Sequence, residues 1–597
     1  MLQGAKSLSV DPIDYCIHRY GLTPAVAMER AATWASLPYR AAVPPASRES
    51  APIIQLDGIA EVRTIRAEVD NREIVYCAPR FDGLTRLASY IESHPGLRDR
   101  ICLVPIDALR GEIAQSNSTQ LLDESRQRLA RLWPFASAHL DLPLSTRIAF
   151  VLGVVALSLA AALAPYWSKP VFMPLVGLLL AVPGAIRMVA AVLPREGDLE
   201  PSHQLSDAEL PTYSVLIPLR NEAEMVLQLG RAMQALDYPR EKLDIKFVVE
   251  LRSDATVAAV RKILDEPSFE LVIVPEAPPH TKPKALNYGL PLVRGEHVVV
   301  YDAEDIPAPD QLRRAASTFA ANPGLDCLQA ELTIDNAAEN WLTALFAGEY
   351  AGQFGLMLPL LARLRLPMPL GGTSNHFRVR SLRELGGWDA FNVTEDADLG
   401  TRLSRVRYRS AILASQTREE APISLAAWMA QRTRWMKGWM QTLIVHNRSP
   451  RRLLEDIGWR GFLAFEIYVG SMIVSALLHM VFLASFVAAL LGLRSGLVID
   501  AWDAVSMLIL LVGYGGAGAL AVAGLLRLGQ PRLLIRQLGL PLYWLLHSIA
   551  TVRALHELLV RPYFWAKTEH GRTRMRRPLG EAAPSTPASA IAGEAEV

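Results

Sequence analysis

Apolar residues in this chain first gather into two nearly uninterrupted runs, Ile148–Pro165 and Val171–Val192, of 18 and 22 residues. A bilayer core takes a helix of roughly 20 apolar residues, so each run predicts a membrane span. Tyr166-Trp167-Ser168-Lys169-Pro170 between them reads as a tight turn with interfacial aromatics, which makes residues 148–192 a transmembrane hairpin. Arg187 is the one charge inside, near enough to the end to snorkel. A buried helix pair in a soluble protein is the alternative, and the spanning length of both runs weighs against it. Arginine and lysine are plentiful on both flanks, which by the positive-inside rule places both flanks in the cytoplasm.

From Tyr213 to about Arg418 the pattern changes to short β-rich runs alternating with helical segments. Ser214–Pro218, Ile245–Glu250, Glu270–Val274 and His297–Asp302 predict strands, and Glu222–Leu236, Thr256–Leu264 and Lys284–Leu292 predict helices. Such alternation predicts a parallel α/β sheet, with ligands at the C-terminal ends of its strands. Leu425 to about Val445 predicts an amphipathic helix. Three more apolar stretches follow, Gly461–Leu493, Ala504–Leu526 and Leu538–Val560. The first is long enough to be a tilted span, or a span plus an interfacial helix. Residues 461–560 therefore predict about three spans. The arginine-rich loop Arg527–Arg536 belongs in the cytoplasm, and the basic tail after Arg561 does too, although three spans would put that tail outside. Glu581–Val597, rich in Ala, Pro, Ser and Glu, predicts disorder. Residues 1–140 read as a separate cytoplasmic α/β domain with a linker at Pro44–Pro52.

Composition narrows the function classes. At 597 residues the chain holds more than one domain, and 51% hydrophobic residues fit the membrane reading. A formal net charge of +1 argues against binding nucleic acid or another polyanion. Cys16, Cys77, Cys102 and Cys327 are scattered, which points to a reducing compartment and no zinc site. Met1–Asp14 lacks the apolar core of a cleavable signal peptide.

Five segments carry candidate chemistry. Pro218, Arg220 and Glu222 follow a predicted buried strand, where a base and ribose bind, although an ordinary strand end reads the same way. Asp302, Glu304 and Asp305 follow the β-run Val298–Tyr301. Their carboxylates repel one another unless a cation such as Mg²⁺ or Mn²⁺ or buried donors intervene, and a solvated acidic turn is the alternative. A metal there would neutralise a departing nucleoside diphosphate. Lys282 and Lys284 stand at a helix start and can supply charge to a diphosphate. In Thr394-Glu395-Asp396, Asp396 is the candidate general base, with Glu395 beside it raising its pKa. Thr394 capping a helix through Leu399 is the plainer reading, and the two roles can coexist. In Gln431-Arg432-Thr433-Arg434-Trp435, Arg434 can hold a diphosphate, and Trp428, Trp435 and Trp439 share one helical face that can stack on sugar rings or sit at lipid headgroups.

In this order the segments resemble the processive family 2 glycosyltransferases, the group that includes bacterial cellulose synthase and hyaluronan synthase, whose pattern is D, DxD, (T)ED, QxxRW. The resemblance covers about Tyr213 to His446. It implies a GT-A fold over residues 210–447, inserted between transmembrane helices, with the N-terminal α/β domain ahead. It implies Asp302, Glu304 and Asp305 as the metal group and Asp396 as catalytic base. Gln431, Arg434 and Trp435 would serve the diphosphate and acceptor sugar, with Glu395 beside them. Lys282 and Asn287 resemble the family's K-x-x-x-x-N near the nucleotide, and Thr373, Asn375 and His376 occupy the place of its acceptor-site loop. Tyr563–Gly571 resembles a gating loop. The first family aspartate is replaced by Glu250, with Asp254 nearby, and the metal motif is DxE. No PilZ-type cyclic-di-GMP signature is evident in the tail, residues 561–597. Residues 1–140 resemble weakly the N-terminal domain of secretion ATPases, some of which bind cyclic-di-GMP, so that nucleotide or export partners are the expectation there.

The resemblance implies a multi-pass enzyme of the bacterial inner membrane with a cytoplasmic catalytic domain. It would extend, and export, a β-linked polysaccharide from a nucleotide sugar, UDP-glucose first among candidates, in contact with membrane lipid. Transfer of one sugar to a lipid or short acceptor is the second reading, and a non-catalytic sugar-nucleotide receptor the third.

Overall fold

The computed structural model describes residues 1–44, 56–69, 72–140, 142–163, 180–194, 198–199, 201, 203–490, 501–565 and 573. The predicted turn Tyr166–Pro170, most of the Pro44–Pro52 linker, the tail Glu581–Val597 and residues 566–571 of the gating-loop segment lie outside them.

A mixed sheet forms the centre of the molecule. Its strands run β4 (Asp198–Leu199), β12 (Ser410–Glu419), β10 (Cys327–Ile334), β11 (Asn375–Arg378), β8 (His297–Val300), β5 (Tyr213–Leu219), β6 (Leu243–Glu250) and β7 (Phe269–Val274), with β9 (Ile306–Pro307) against β12. β8, β5, β6 and β7 are parallel neighbours. All eight residues of β6 and all four of β8 are buried, as a parallel strand covered on both faces requires. Buried Asp244 and Lys246 in β6 are tolerated because they pair with each other at 3.1 Å, and Lys246 also reaches Glu270 at 2.5 Å.

The sheet is not wholly parallel, and this corrects the expectation from the sequence. β11 lies antiparallel between β10 and β8, with Asn375 opposite Val300 and Gln329. Four residues with a polar start give no periodic signal, so hydrophobic patterning misses this strand. It positions the site, since the turn before it delivers residues 371–374 to the strand ends.

Helix Leu425–His446 begins at Ser424, whose side chain accepts a hydrogen bond from the Ala427 N–H at 3.2 Å, and runs across the strand ends. Among the described residues three helices beyond it are long and apolar enough to cross a membrane, Pro450–Met480, Met507–Arg527 and Pro531–Val560, and shorter apolar helices precede it at Leu144–Ala160 and Val182–Val192. The first continues to Leu490 and breaks its helical geometry at Gly458, whose φ of 70° suits glycine. Helices Val182–Val192 and Met507–Arg527 meet closely: a Cβ on Gly516 would lie 2.2 Å from the Gly184 carbonyl oxygen, so only glycine permits that approach.

Ahead of these, β1 (Thr64–Val69), β2 (Arg72–Cys77) and β3 (Ile101–Leu103) form a small sheet in that order. Helix Ser118–Leu132 carries this N-terminal region onto helix Lys282–Gly289. Asn287 Nδ2 donates to the Ser125 carbonyl at 3.0 Å, and Arg128 bridges Asp57 at 2.6 Å and the Arg383 carbonyl at 3.1 Å.

Candidate active site

A cavity of about 390 Å³ opens where β5, β6 and β8 end. Pro218, Arg220, Glu222, Glu250, Lys282, Asp302 and Glu304 line one end, and Gly371, Gly372, Thr394, Glu395 and Asp396 form a wall. Gln431, Arg434, Trp435 and Trp439 cover it, and beyond them it continues past Tyr468, His479, Leu520 and Trp544 of the apolar helices. The C-terminal strand edge, the cationic-aromatic helix and the membrane-type helices therefore share one space.

At the strand end, Glu250 is paired with Lys284 at 3.0 Å and lies 3.7 Å from His280, whose carbonyl accepts from Arg220 at 2.9 Å. Glu222 accepts the backbone N–H of Arg220 at 3.1 Å. Lys282 bridges Asp302 and the Gly372 carbonyl, each at 2.5 Å. Burial opposes the charge on Lys282, but Asp302 and Glu395, with Asp396 further on, outweigh it and hold its pKa above the usual lysine range.

The acidic triplet divides. Asp302 and Glu304 line the cavity, whereas Asp305 turns inward, 1% exposed, accepting from the Asp302 N–H at 2.6 Å and from the Thr373 hydroxyl. Burial, then the nearby Glu419, Asp302 and Glu304, hold the Asp305 carboxyl well above the carboxylate range. Among the described residues no group of three acidic, histidine or cysteine side chains converges on a point. Two cavity-facing hard-oxygen groups still fit a site in which substrate phosphates complete the coordination.

The wall is built by close approach. A Cβ on Gly372 would lie 3.3 Å from Asp396 Oδ2, so the absence of a side chain lets the 371–374 turn close on the carboxylate. Thr394 stands at the N-cap position of helix Glu395–Arg405 but makes no side-chain cap bond; Asp396 Oδ1 accepts the Ala397 N–H at 2.8 Å. Burial, followed by the neighbouring Asp396, pushes Glu395 up to about 7 against the pull of Lys282 and Arg434. Burial also raises Asp396, against the Ala397 N–H, Lys282 and Arg434. The Arg434 guanidinium is lowered by burial and supported by Glu395, Asp396 and Asp302. Two carboxyls of raised pKa between two cations are the arrangement expected of proton-transfer chemistry.

Five expected site residues lie elsewhere. Asn287 holds the Trp388 backbone through its N–H at 2.9 Å and its carbonyl at 2.7 Å, and Asn375 donates to the Gly371 carbonyl at 2.6 Å. His376 is buried against the Tyr213 hydroxyl at 2.8 Å and pushed by burial to about 3, so it is neutral. Thr373 and Asp305 face each other inside. Of the three tryptophans on one helical face, Trp435 and Trp439 line the cavity, while Trp428 is fully buried with Nε1 3.2 Å from the Tyr543 hydroxyl.

Several groups take places that the sequence reading did not assign. Trp565, in the segment read as resembling a gating loop, lines the cavity with the Arg220 and Arg434 guanidinium carbons 5.9 and 5.4 Å from its ring centre. It is held there by Lys437, which donates to the Phe564 carbonyl at 2.7 Å and pairs with Glu557 at 2.9 Å. Arg187, expected to snorkel, lines the cavity instead. Glu349 and Arg432 form a bidentate pair with both contacts at 2.6 Å. Glu349 sits in an otherwise apolar stretch, and no local spacing ties it to a residue 83 positions away.

Residues 211–438 match the family described as "Glycosyltransferase like family 2". This stretch is a glycosyltransferase family 2 domain. Its sheet is of the α/β kind expected from the sequence, apart from the reversed β11. The chain is 27% identical over 282 residues to the probable glycosyltransferase YdaM of Bacillus subtilis (strain 168), covering 45% of this chain and 66% of that protein. It is 26% identical over 283 residues to the beta-monoglucosyldiacylglycerol synthase of Synechocystis sp. (strain ATCC 27184 / PCC 6803 / Kazusa), covering 46% and 57%. With the UDP-forming cellulose synthase catalytic subunit of Pseudomonas fluorescens (strain SBW25) it shares 29% identity over 249 residues, covering 40% and 32%. The chain thus spans between about a third and two thirds of the length of these relatives. The family 2 domain contains all the cavity-lining residues contributed by the strand ends, the Thr394–Asp396 wall and Gln431–Trp435.

Proposed function

We propose that the protein is a membrane-embedded, inverting glycosyltransferase that extends a β-linked polysaccharide from a nucleotide sugar, UDP-glucose first among donors. The observation that carries this reading is the single cavity joining Asp302, Glu304, Asp396, Arg434 and Trp435 to a space between apolar helices. Arg220, Glu222 and Glu250 take the nucleotide, while Lys282 and Arg434 hold its diphosphate by charge. Asp396 removes the proton from the acceptor hydroxyl as that oxygen attacks the donor's anomeric carbon from the face opposite the diphosphate. Trp435 presents a ring face for the acceptor sugar. Asp302 and Glu304 would hold Mg²⁺ or Mn²⁺, which when bound neutralises charge on the leaving diphosphate. The protein would sit in the bacterial inner membrane with the family 2 domain in the cytoplasm and the polymer leaving between the spans, in contact with lipid. Residues 1–140 are its candidate site for cyclic-di-GMP or an export partner.

Transfer of one sugar to a lipid is the second reading, favoured by the relatives named beta-monoglucosyldiacylglycerol synthase. A donor panel with Mg²⁺ or Mn²⁺, followed by product sizing, separates the two. Release of nucleoside diphosphate that stops on chelation, with a polymeric product, is the expected result. A single-sugar lipid product would establish the second reading, and no turnover with any donor would reject both.

A further inference from the structure

Arg432 lies inside the Q-x-x-R-W segment, lines the cavity, and pairs with Glu349 of a neighbouring helix. The Arg432 side chain is 4% exposed. Both of its terminal nitrogens meet the Glu349 carboxylate at 2.6 Å, and one also donates to the Tyr543 hydroxyl at 3.0 Å. Tyr543 donates in turn to Glu349 Oε2 at 2.7 Å and accepts from Trp428 Nε1 at 3.2 Å. Three helices are closed into one network: Trp341–Gly352 supplies Glu349, Leu425–His446 supplies Arg432 and Trp428, and Leu540–Val560 supplies Tyr543.

The network lines the cavity and touches the proposed acceptor ring directly. The Arg432 guanidinium carbon lies 4.4 Å from the centre of the Trp435 ring, whose other neighbours are Tyr350, near-parallel at 6.4 Å, and Phe346 at 6.1 Å. Tyr350 and Phe346 flank Glu349 on its own helix, so the carboxylate that orients the guanidinium and the rings that pack on the indole belong to one rigid element. A planar, bidentate cation is needed to do both at once, since an ammonium can neither fork onto a carboxylate nor lie flat against a ring.

We propose that Glu349, Arg432 and Tyr543 are positioning residues that fix the tilt of the Trp435 ring, and through it the acceptor sugar, and that Tyr543 couples this setting to a membrane helix. The proposal rests on the reading of Trp435 as an acceptor platform. Removing the Glu349 charge leaves the buried Arg432 guanidinium without its counter-ion, so the helix register, not only the ring, depends on the pair.

Tyr543→Phe and Glu349→Gln keep the volume of each site, and full-length protein in detergent serves for both. With UDP-glucose as donor and cellotetraose as acceptor probe, each variant should raise the acceptor KM about tenfold while the donor KM holds, the pattern of a lost acceptor interaction. Combining Glu349→Gln with Trp435→Ala should add nothing to Trp435→Ala alone, because the pair acts through that ring. Independently of turnover, 5-fluorotryptophan labelling should show the Trp435 signal, assigned with Trp435→Phe, shifting in Tyr543→Phe while the Trp439 signal stays. An unmoved Trp435 signal, additive effects, or parallel loss on donor and acceptor KM would overturn the inference. A wild-type protein that turns over no sugar while the Trp435 signal moves would reject the proposed function and leave the positioning network standing.

Discussion

Asp396 and Glu395 hold two adjacent carboxyls in a buried wall, and their environment sets what each can do. Burial raises both, opposed at Glu395 by Lys282 and Arg434 and at Asp396 by the Ala397 N–H and the same two cations. Asp396→Asn preserves the shape and the Ala397 N–H contact but removes the proton acceptor. Transfer should fall by roughly 10²-fold or more with donor affinity retained, as measured by nucleoside diphosphate release beside donor binding. A variant that still turns over would take the base role from Asp396. The sign of the pH dependence follows from the same shifts. A base must be deprotonated, so a raised pKa moves loss of activity to higher pH. Turnover should decline as pH falls, with its midpoint above the ordinary aspartate range, because burial holds the Asp396 carboxyl above that range. A midpoint at or below the ordinary aspartate value in the pH–rate profile would contradict this. At this scale the sequence was informative where chemistry needs a run of charge, as in Asp302–Asp305 and Thr394–Asp396. It was uninformative about direction: Asp302 and Asp305 are three residues apart, yet one faces the cavity and the other is sealed against Thr373. Nothing in the spacing separates a ligand from a buried acid.

Helix Leu425–His446 gains its place by close contact with the catalytic wall. A Cβ on Gly438 would stand 2.2 Å from Thr394 Oγ1, and Gln441 Oε1 accepts the Val393 N–H at 3.1 Å. The helix is thereby fixed to the segment that carries Asp396, one turn beyond Trp435. Gly438→Ala must push the two apart. Overpacking of this kind costs about 1–3 kcal/mol, and because the displaced atoms adjoin the site the loss of turnover should exceed what the lowered unfolding midpoint explains. Thermal unfolding and turnover measured on one preparation test this, and an unaltered rate would show that the contact is slack. The helix itself was legible, because its aromatic and cationic positions repeat at helical spacing, and so were β5 to β8, whose buried Val and Ile runs leave no other reading. β11 was not, being short, polar at its start and reversed only by the neighbours it pairs with.

Across the whole molecule, the N-terminal region and the family 2 domain meet behind the site. Asn287 lies in the last turn of the helix that Lys282 begins, and it binds both Ser125 and Trp388. A Cβ on Gly386, whose φ is 80°, would lie 3.4 Å from Leu129 Cα, so this turn of the chain toward Asp396 packs against the helix that carries Ser125. The two segments that carry Lys282 and Asp396 thus share a support in helix Ser118–Leu132. Arg128→Ala removes the Asp57 bridge and the Arg383 carbonyl contact. The partly exposed ion pair is worth up to about 1 kcal/mol, so global stability should change little. Faster amide hydrogen exchange in residues 282–289 and a raised donor KM are the expected results, and unchanged exchange would show that the support is independent of Arg128. This contact could not be read from sequence, since it joins residues more than a hundred positions apart through backbone carbonyls that any residue supplies.

The cavity has two ends of opposite character, with Arg220, Arg434 and Trp565 at one and Tyr468, His479 and Trp544 at the other. On the proposed chemistry, the two substrates never share a doorway. A compound lodged between the apolar helices would lower the maximal rate without competing with the nucleotide sugar, whereas a nucleoside diphosphate would compete with it directly. Inhibition kinetics therefore report which end of the cavity a molecule occupies, before any complex has been seen.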